Sequence, residues 1–195
     1  FVILVRGSVY LYFLGWTGYT ALLIASLGTV ILLLIYLLLM ERRAKNKISL
    51  PLRHKLSLVV TVVLLFNLCA LFVFSEKNAK TESVAREFEQ VHPLLRIAVS
   101  TVAYLGGGML VTDMSRRESD YIKMGLSPLD RSLHYAQTDG YVHAIDLRTK
   151  GRWQLHNWLT ESVFRLLGFR TQRHMGSADH LHIALPNKNT VVQKR

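Results

Sequence analysis

Two long apolar runs near the start of the 195-residue chain constrain its fold more than any other feature. The first run, residues 9–40, contains no charged residue, and the second, residues 56–74, has only Thr61 and Asn67 as notable polar groups. A helix of about 20 residues crosses the hydrocarbon core of a bilayer. Both runs are therefore predicted to be transmembrane helices, and Asn67 is expected to make a hydrogen bond between them.

Positive charge is concentrated in the loop between the two runs. Residues 41–55 carry six Lys or Arg against one acidic residue, so they supply +5 of the formal net charge of +11. Because cytoplasmic loops are the basic ones, this loop is predicted to lie inside the cell and the chain after residue 75 outside it. The expected location is the inner (cytoplasmic) membrane of a bacterium, crossed twice, with the C-terminal domain periplasmic or extracytoplasmic.

Charge and cysteine content exclude several classes of function. From residue 76 onward the chain has 17 Lys or Arg and 12 Asp or Glu without a long basic run, whereas nucleic-acid-binding domains concentrate positive charge in a patch. No nucleic-acid partner is expected, and the lipid bilayer is the predicted partner of the apolar helices. The single cysteine, Cys69, excludes an intrachain disulfide and a metal site built on several cysteines.

Beyond residue 75 the sequence pattern predicts a small α+β domain. Residues 76–105 are predicted to form a juxtamembrane stalk, and residues 106–195 the domain itself. An antiparallel sheet with one helix packed on it fits the order of the elements. The predicted strands cover residues 109–112, 141–147, 169–173 and 180–185.

The predicted helix of this domain covers residues 153–167. Its apolar residues recur at helical spacing, and Gly168 is a typical C-terminal stop. Trp153, Trp158 and Phe164 are expected to pack in the core or against the helix face.

Histidines are concentrated in the last third of the chain, and two of them share a predicted strand. His180 and His182 are two residues apart, so they point to the same face of the sheet. Asp146 lies in another apolar strand, where a carboxylate is costly unless it is paired or bound to a metal. A His, an Asp and a His on one face would form a three-ligand zinc site. The residue types alone equally allow surface or hydrogen-bonded histidines near an ion-paired aspartate.

Two motifs resemble those of the LAS metallopeptidases. The words SLHY at 132–135 and AIDL at 144–147 are similar to the Ser-x-His…Ala-x-Asp signature of that group. The group includes D-Ala-D-Ala carboxypeptidases and dipeptidases, peptidoglycan endopeptidases and the Hedgehog signalling domain. The word DHLHI at 179–183 resembles its second motif, and residues 111–116 resemble the strand that carries a substrate-binding Arg. The resemblance covers about residues 109–186 and implies a fold of the LAS type.

By position, the resemblance implies that Zn²⁺ is held by His134, Asp146 and His182. The spacing departs from the family pattern, because His134 and Asp146 are twelve positions apart where the family has seven. Residues 136–143 therefore have the character of an insertion. His143, three positions before Asp146, is an alternative first ligand, although residues at i and i+3 on a strand face opposite ways.

The resemblance also implies the residues of a catalytic site. Asp179 falls where several family members keep the general base, and His180 would orient or stabilise the reacting groups. Arg116 would bind substrate, with Arg117 equally placed. Zinc-dependent hydrolysis of a peptide that contains a D-amino acid, as in peptidoglycan stems, is the implied reaction.

Two functions are open at this point. The first is a membrane-anchored zinc D,D-carboxypeptidase or endopeptidase that acts on cell-wall peptides. The second is a non-catalytic, peptidase-like subunit of a larger membrane complex, which the altered first motif and the substantial membrane hairpin favour. The Hedgehog domain shows that the family fold also serves as a binding domain.

Overall fold

The structure is a computed structural model, and it describes residues 1–43, 50–104, 108–123, 125, 127, 132–176 and 179–186. Residues 44–49 of the predicted basic loop and 187–195 of the predicted domain lie outside the described residues. The helices are α1 Val2–Phe13, α2 Gly18–Arg43, α3 Leu52–Phe72, α4 Glu82–Arg86, α5 Pro93–Tyr104, α6 Glu118–Lys123 and α7 Gln154–Leu167. The strands are β1 Val111–Asp113, β2 Ala144–Arg148, β3 Arg170–His174 and β4 His180–Ala184.

Within the described residues, α2 and α3 are the two helices long and apolar enough to cross a membrane. Their side chains leave much apolar surface uncovered by the rest of the chain. The Asn67 side chain donates a hydrogen bond to Ser26 Oγ of α2 at 2.9 Å, so the predicted contact between the two helices is present. At the other end of the pair, Lys55 forms an ion pair with Glu41.

The first apolar run differs from the single helix predicted over residues 9–40, because it contains a break at residues 14–17. Gly15 has a φ of +114°, a backbone conformation that glycine adopts readily and that ends α1. The Thr17 hydroxyl then accepts a hydrogen bond from the Thr20 backbone N–H at 3.4 Å, as an N-capping residue does. Helix α1 therefore folds back against α2 instead of extending it.

The segment predicted as a stalk is an internal part of the fold. Helix α5 is buried over most of its length and contacts α1, α2, α3 and α7. Ser100 Oγ donates to the Ala70 carbonyl at 3.0 Å, and buried Arg96 donates to the carbonyls of Leu71 and Val91 at 3.3 and 2.8 Å. The carbonyls at the end of α3 thus have partners in α5.

The four strands of the described domain form one antiparallel sheet in the order β1-β2-β4-β3. Ile145 and Leu147 of β2, with Leu181 and Ile183 of β4, point to one face and join the same buried core as α5 and α7. The predicted α+β architecture is therefore confirmed, whereas the LAS type of fold stays a prediction.

Helix α7 ends where Gly168 takes the left-handed conformation with a φ of +99°, as the sequence predicted. One face of the helix is buried in the core through Phe164 and Leu167. Trp153 and Trp158, for which packing was expected, are instead 65% and 61% exposed. Helical spacing alone does not distinguish these two exposed residues from the buried ones, because α7 is apolar on its outer face as well as on its inner face.

Replacing Arg96 with Met tests the junction between α3 and α5. The two carbonyls at Leu71 and Val91 would lose a charged donor inside the structure, at a cost of about 2–3 kcal/mol in the free energy of unfolding. Thermal unfolding in lipid nanodiscs measures this loss as a lower Tm. Arg86→Met is the matched control, because Arg86 is exposed and pairs only across the helix surface with Glu82, and its Tm should hardly change. Equal Tm values for the two variants would contradict the prediction.

Candidate metal centre

The pairing of β2 with β4 places Asp146 and His182 side by side. Asp146 lies directly opposite His182 in the antiparallel register, and Arg148 lies opposite His180. Since side chains alternate along a strand, Asp146, His180 and His182 project from the sheet face opposite the core. The shared face expected for the two histidines is therefore present.

His134 reaches the same point from a turn outside the sheet. Its backbone N–H donates to Ser132 Oγ at 3.2 Å, and its carbonyl accepts from the Arg116 N–H at 3.0 Å. The Ser132 hydroxyl is in turn hydrogen-bonded to the buried Tyr121 hydroxyl at 2.6 Å. These bonds fix the turn, and His134 is only 3% exposed.

Three ligand atoms from these residues converge. His182 Nδ1 lies 2.9 Å from Asp146 Oδ1, His134 Nε2 lies 3.4 Å from the same oxygen, and the two ring nitrogens are 3.3 Å apart. A group of this kind could hold a metal ion. We call His134, Asp146 and His182 the triad.

Asp146 is almost fully buried, yet the pKa of its carboxyl is lowered. Burial by itself raises the pKa of its carboxyl, but hydrogen bonds with His134 and His182 and the nearby histidine charges hold that pKa well below its ordinary value. Arg116 Nη2 donates to the second carboxylate oxygen, Oδ2, at 2.6 Å. The Oδ1 atom is thus the one directed at the two imidazoles, and a carboxylate fixed in this way is suited to bind a metal through one oxygen.

The hydrogen bonding of His134 fits a metal ligand. Its Nδ1 lies 3.0 Å from the Met114 carbonyl oxygen, and a carbonyl can only accept, so Nδ1 carries the proton. The Nε2 atom faces Asp146 and His182: in the protonated ring it donates to Asp146 Oδ1, and in the neutral ring it offers a lone pair to a metal. This arrangement, in which the second ring nitrogen of a metal-binding histidine donates to a backbone carbonyl, is the usual one in proteins. Two imidazoles and one carboxylate form a donor set that Zn²⁺ accepts.

Two further histidines border the triad. His180 Nε2 lies 3.8 Å from Asp146 Oδ2, beside the triad as expected. Its ring stacks on that of His174, with 4.7 Å between centroids, because the two residues are directly opposite in the β3–β4 pair. Burial, together with the charges of His180 and His182, lowers the pKa of His174. His174 was not among the predicted site residues, although its position across the predicted hairpin from His180 indicates that the two side chains are close.

The other predicted site residues have different surroundings. Arg116, not Arg117, reaches the triad, and it also forms an ion pair with Asp113. Asp179 accepts a hydrogen bond from Thr149 and forms an ion pair with Arg173 at 3.2 Å. The described contacts of Asp179 are thus structural ones, and its role as general base stays a prediction.

A second group of the described residues could also hold a metal ion, and it consists of His92, Asp139 and His143. His143 Nε2 lies 2.8 Å from Asp139 Oδ2, and His92 Nε2 lies 3.7 Å from the same atom. The segment 136–143, which departs from the family spacing, forms the loop that brings Asp139 and His143 to His92. The group borders a cavity of about 600 Å³ that is also lined by residues of the α1–α2 connection.

The second group is more open than the triad, since the Asp139 side chain is 37% exposed and the Asp146 side chain 3%. His92 Nδ1 lies 3.3 Å from the Leu94 backbone nitrogen, whose N–H donates to it. In a neutral imidazole the proton is then on Nε2, which faces Asp139 as a donor, as His182 Nδ1 faces Asp146. Among the two histidines considered as first ligand, His134 lies in the triad and His143 in this second group.

Comparison of the chain with protein-family models, with known proteins and with solved structures gives no match. The assignment of a function therefore depends on the residues and the geometry described above.

We expect one zinc ion per chain, bound by the triad. His134→Ala and His182→Ala should each lower zinc affinity more than about 100-fold, because each removes a direct ligand and second-sphere changes alone cost up to that much. Metal analysis and competition with a chromogenic chelator measure the effect. His143→Ala is the matched control from the second group and should retain the ion. Retention of zinc by His182→Ala together with loss by His143→Ala would contradict the assignment.

Proposed function

We propose that this protein is a membrane-anchored zinc hydrolase that cleaves peptides of the bacterial cell wall, with its α+β domain outside the inner membrane. The observation that carries the proposal is the convergence of His134 Nε2, Asp146 Oδ1 and His182 Nδ1 on one sheet face. The resemblance of the two surrounding motifs to LAS metallopeptidases supports the reaction class. The two long apolar helices support the anchor.

In this proposal the triad holds zinc, with each residue donating one ligand atom. Bound zinc supplies Lewis acidity, which lowers the pKa of water and polarises an amide carbonyl. Arg116 positions the Asp146 carboxylate through the bond to Oδ2, so that Oδ1 stays directed at the histidines. Because Arg116 is also paired with Asp113, it is held in place from two sides.

His180 is the residue best placed to hold or transfer a proton beside the triad. Its Nε2 is near the Asp146 carboxylate, and its ring is fixed against His174. Asp179 can serve as general base only if its carboxylate leaves Arg173. The geometry therefore favours His180 over Asp179 for the proton-handling role.

A groove of about 480 Å³ beside His182 is a suitable place for the substrate. Its walls include both charged and polar side chains, and they are next to the triad. A peptidoglycan stem peptide carries free carboxylates, which match basic side chains. Arg170, Gln172 and His182 line it from the triad's face of the sheet, and Arg165 and Thr171 line it from the α7 side.

A non-catalytic subunit of a membrane complex is the second candidate. One observation favours it, namely that the carboxylate expected to act as base, Asp179, is engaged by Arg173 and Thr149. In that case the triad would hold zinc for stability or for binding.

Hydrolysis of purified muropeptides by the full chain in nanodiscs tests the proposed activity. Mass spectrometry should detect a shortened stem peptide, a chelator should stop its formation, and added zinc should restore it. His134→Ala and His182→Ala should each reduce the rate by at least about 100-fold. His156→Ala, which changes an exposed histidine on α7, should leave it unchanged. A zinc-loaded protein that yields no product from any muropeptide would support the non-catalytic alternative.

The proposed orientation in the membrane can be measured with single cysteines, because the chain has only one of its own. In a Cys69→Ser background, a membrane-impermeant maleimide applied to intact spheroplasts should label Lys77→Cys. Arg53→Cys, at the basic end of α3, should be labelled only after permeabilisation. Both native side chains are exposed, so only the membrane would keep the maleimide from either introduced cysteine. The reverse labelling pattern would place the domain in the cytoplasm and exclude a cell-wall substrate.

A further inference from the structure

Helix α7 is apolar on its solvent side as well as on its core side. Leu155, Trp158, Leu159 and Leu166 form a stripe on the outer face, and each is exposed. We call these four residues the α7 stripe. The outer face of a helix in a soluble domain is normally polar, so a stripe that contains an exposed Trp indicates a surface that is covered in the working protein.

The C-terminal end of α7 contacts α1, which lies beside the two apolar helices. Gly168 packs so closely on α1 that an added Cβ would lie 2.4 Å from Arg6 Nη1 and 3.0 Å from a Val9 methyl. The ring of Phe1, which directly precedes α1, stacks on Phe66 of α3, with 3.7 Å between centroids. These contacts join the C-terminal end of α7 to α3 through α1.

The position of α1 indicates the depth of the C-terminal end of α7 relative to the bilayer. Gly7 lies against Ala25, seven residues after the start of α2, and Phe66 lies six residues before the end of α3. At a rise of 1.5 Å per residue, both points are about 10 Å inside the ends of the helices. A segment that touches Arg6, next to Gly7, is thus at the level of the lipid headgroups or slightly below them.

Basic residues flank the α7 stripe at both ends. Lys150 and Arg152 precede the helix, and Arg165 is exposed in its last turn. Anionic headgroups attract such side chains, while Trp and Leu insert at the boundary with the acyl chains. Trp153, immediately before the helix, adds a second interfacial aromatic residue.

We infer that the α7 stripe lies on the outer surface of the bilayer, with anionic phospholipid headgroups as its partner. The inference rests on the membrane anchoring in the proposed function. Since α7 packs on the core face of the sheet, and the triad projects from the opposite face, this contact directs the triad away from the lipid. The domain is thereby fixed with its metal centre facing the cell-wall side.

Quenching of tryptophan fluorescence by brominated lipids tests the contact, because the chain has three Trp residues. The full chain is placed in nanodiscs of phosphatidylcholine and phosphatidylglycerol brominated near the headgroup end of the acyl chains. In the Trp16→Phe, Trp153→Phe variant, Trp158 is the remaining fluorophore, and it should lose at least about half of its emission. Aqueous iodide should quench it weakly.

Two reference variants separate the contact from the anchor. Leu64→Trp in a Trp-free background, on the exposed side of α3 and two residues deeper than Phe66, should be quenched by brominated lipid if the helices are inserted, and its failure to respond would overturn both the anchor and the α7 contact. Met175→Trp in a Trp-free background reports an exposed turn beside His174 and should respond only to iodide.

Two results would overturn the α7 contact while the anchor stands. The first is quenching of the Leu64→Trp variant by brominated lipid together with a Trp158 that responds to iodide and not to brominated lipid. The second is a Trp158 protected from both quenchers in nanodiscs that contain two copies of the chain, since the stripe would then be an interface between copies.

Discussion

The charge of Asp146 lies in the middle of a strand whose neighbouring side chains are buried, and such a charge needs several compensating partners. Each partner comes from a different part of the chain: His182 from the adjacent strand, His134 from the turn before β2, and Arg116 from the segment after β1. Core packing positions the sheet. Contacts with the Asp146 carboxylate then position these three segments on the sheet face opposite the core. The candidate metal site therefore lies where the fold stabilises one buried acid.

Local periodicity was sufficient for the parts of the site that lie within single strands. His180 and His182 share a face because a strand has a period of two, and Asp146 was recognisable as an acid in an apolar strand. The end of α7 at Gly168 followed from helix-capping chemistry. The choice of His134 over His143 agreed with the same geometry, since two residues three apart on a strand cannot point to one place.

Contacts between distant segments could not be read from the sequence in this way. Asp179 has the expected spacing for a base, yet Arg173 across the hairpin engages it, and only the strand register reveals this pairing. His92 joins Asp139 and His143 from nearly fifty residues away. Gly15 and Gly18, on either side of Trp16 and Thr17, indicate a break in the helix. The long hydrophobic run nevertheless led to the prediction of one continuous helix. The apolar character of Trp158 likewise does not show whether its side chain faces the core or the outside.

The burial of α5 joins the two long apolar helices and the α+β part of the chain in one core. Removal of the first 75 residues would uncover apolar side chains such as Leu95 and Val99, and it would remove the Leu71 carbonyl from Arg96 and the Ala70 carbonyl from Ser100. A metal ion that binds only the folded chain stabilises the whole unit, so its affinity and the packing of the helices are thermodynamically linked. By reciprocity, any metal ion held by the triad would bind less tightly wherever the packing of α3 against α5 is loosened.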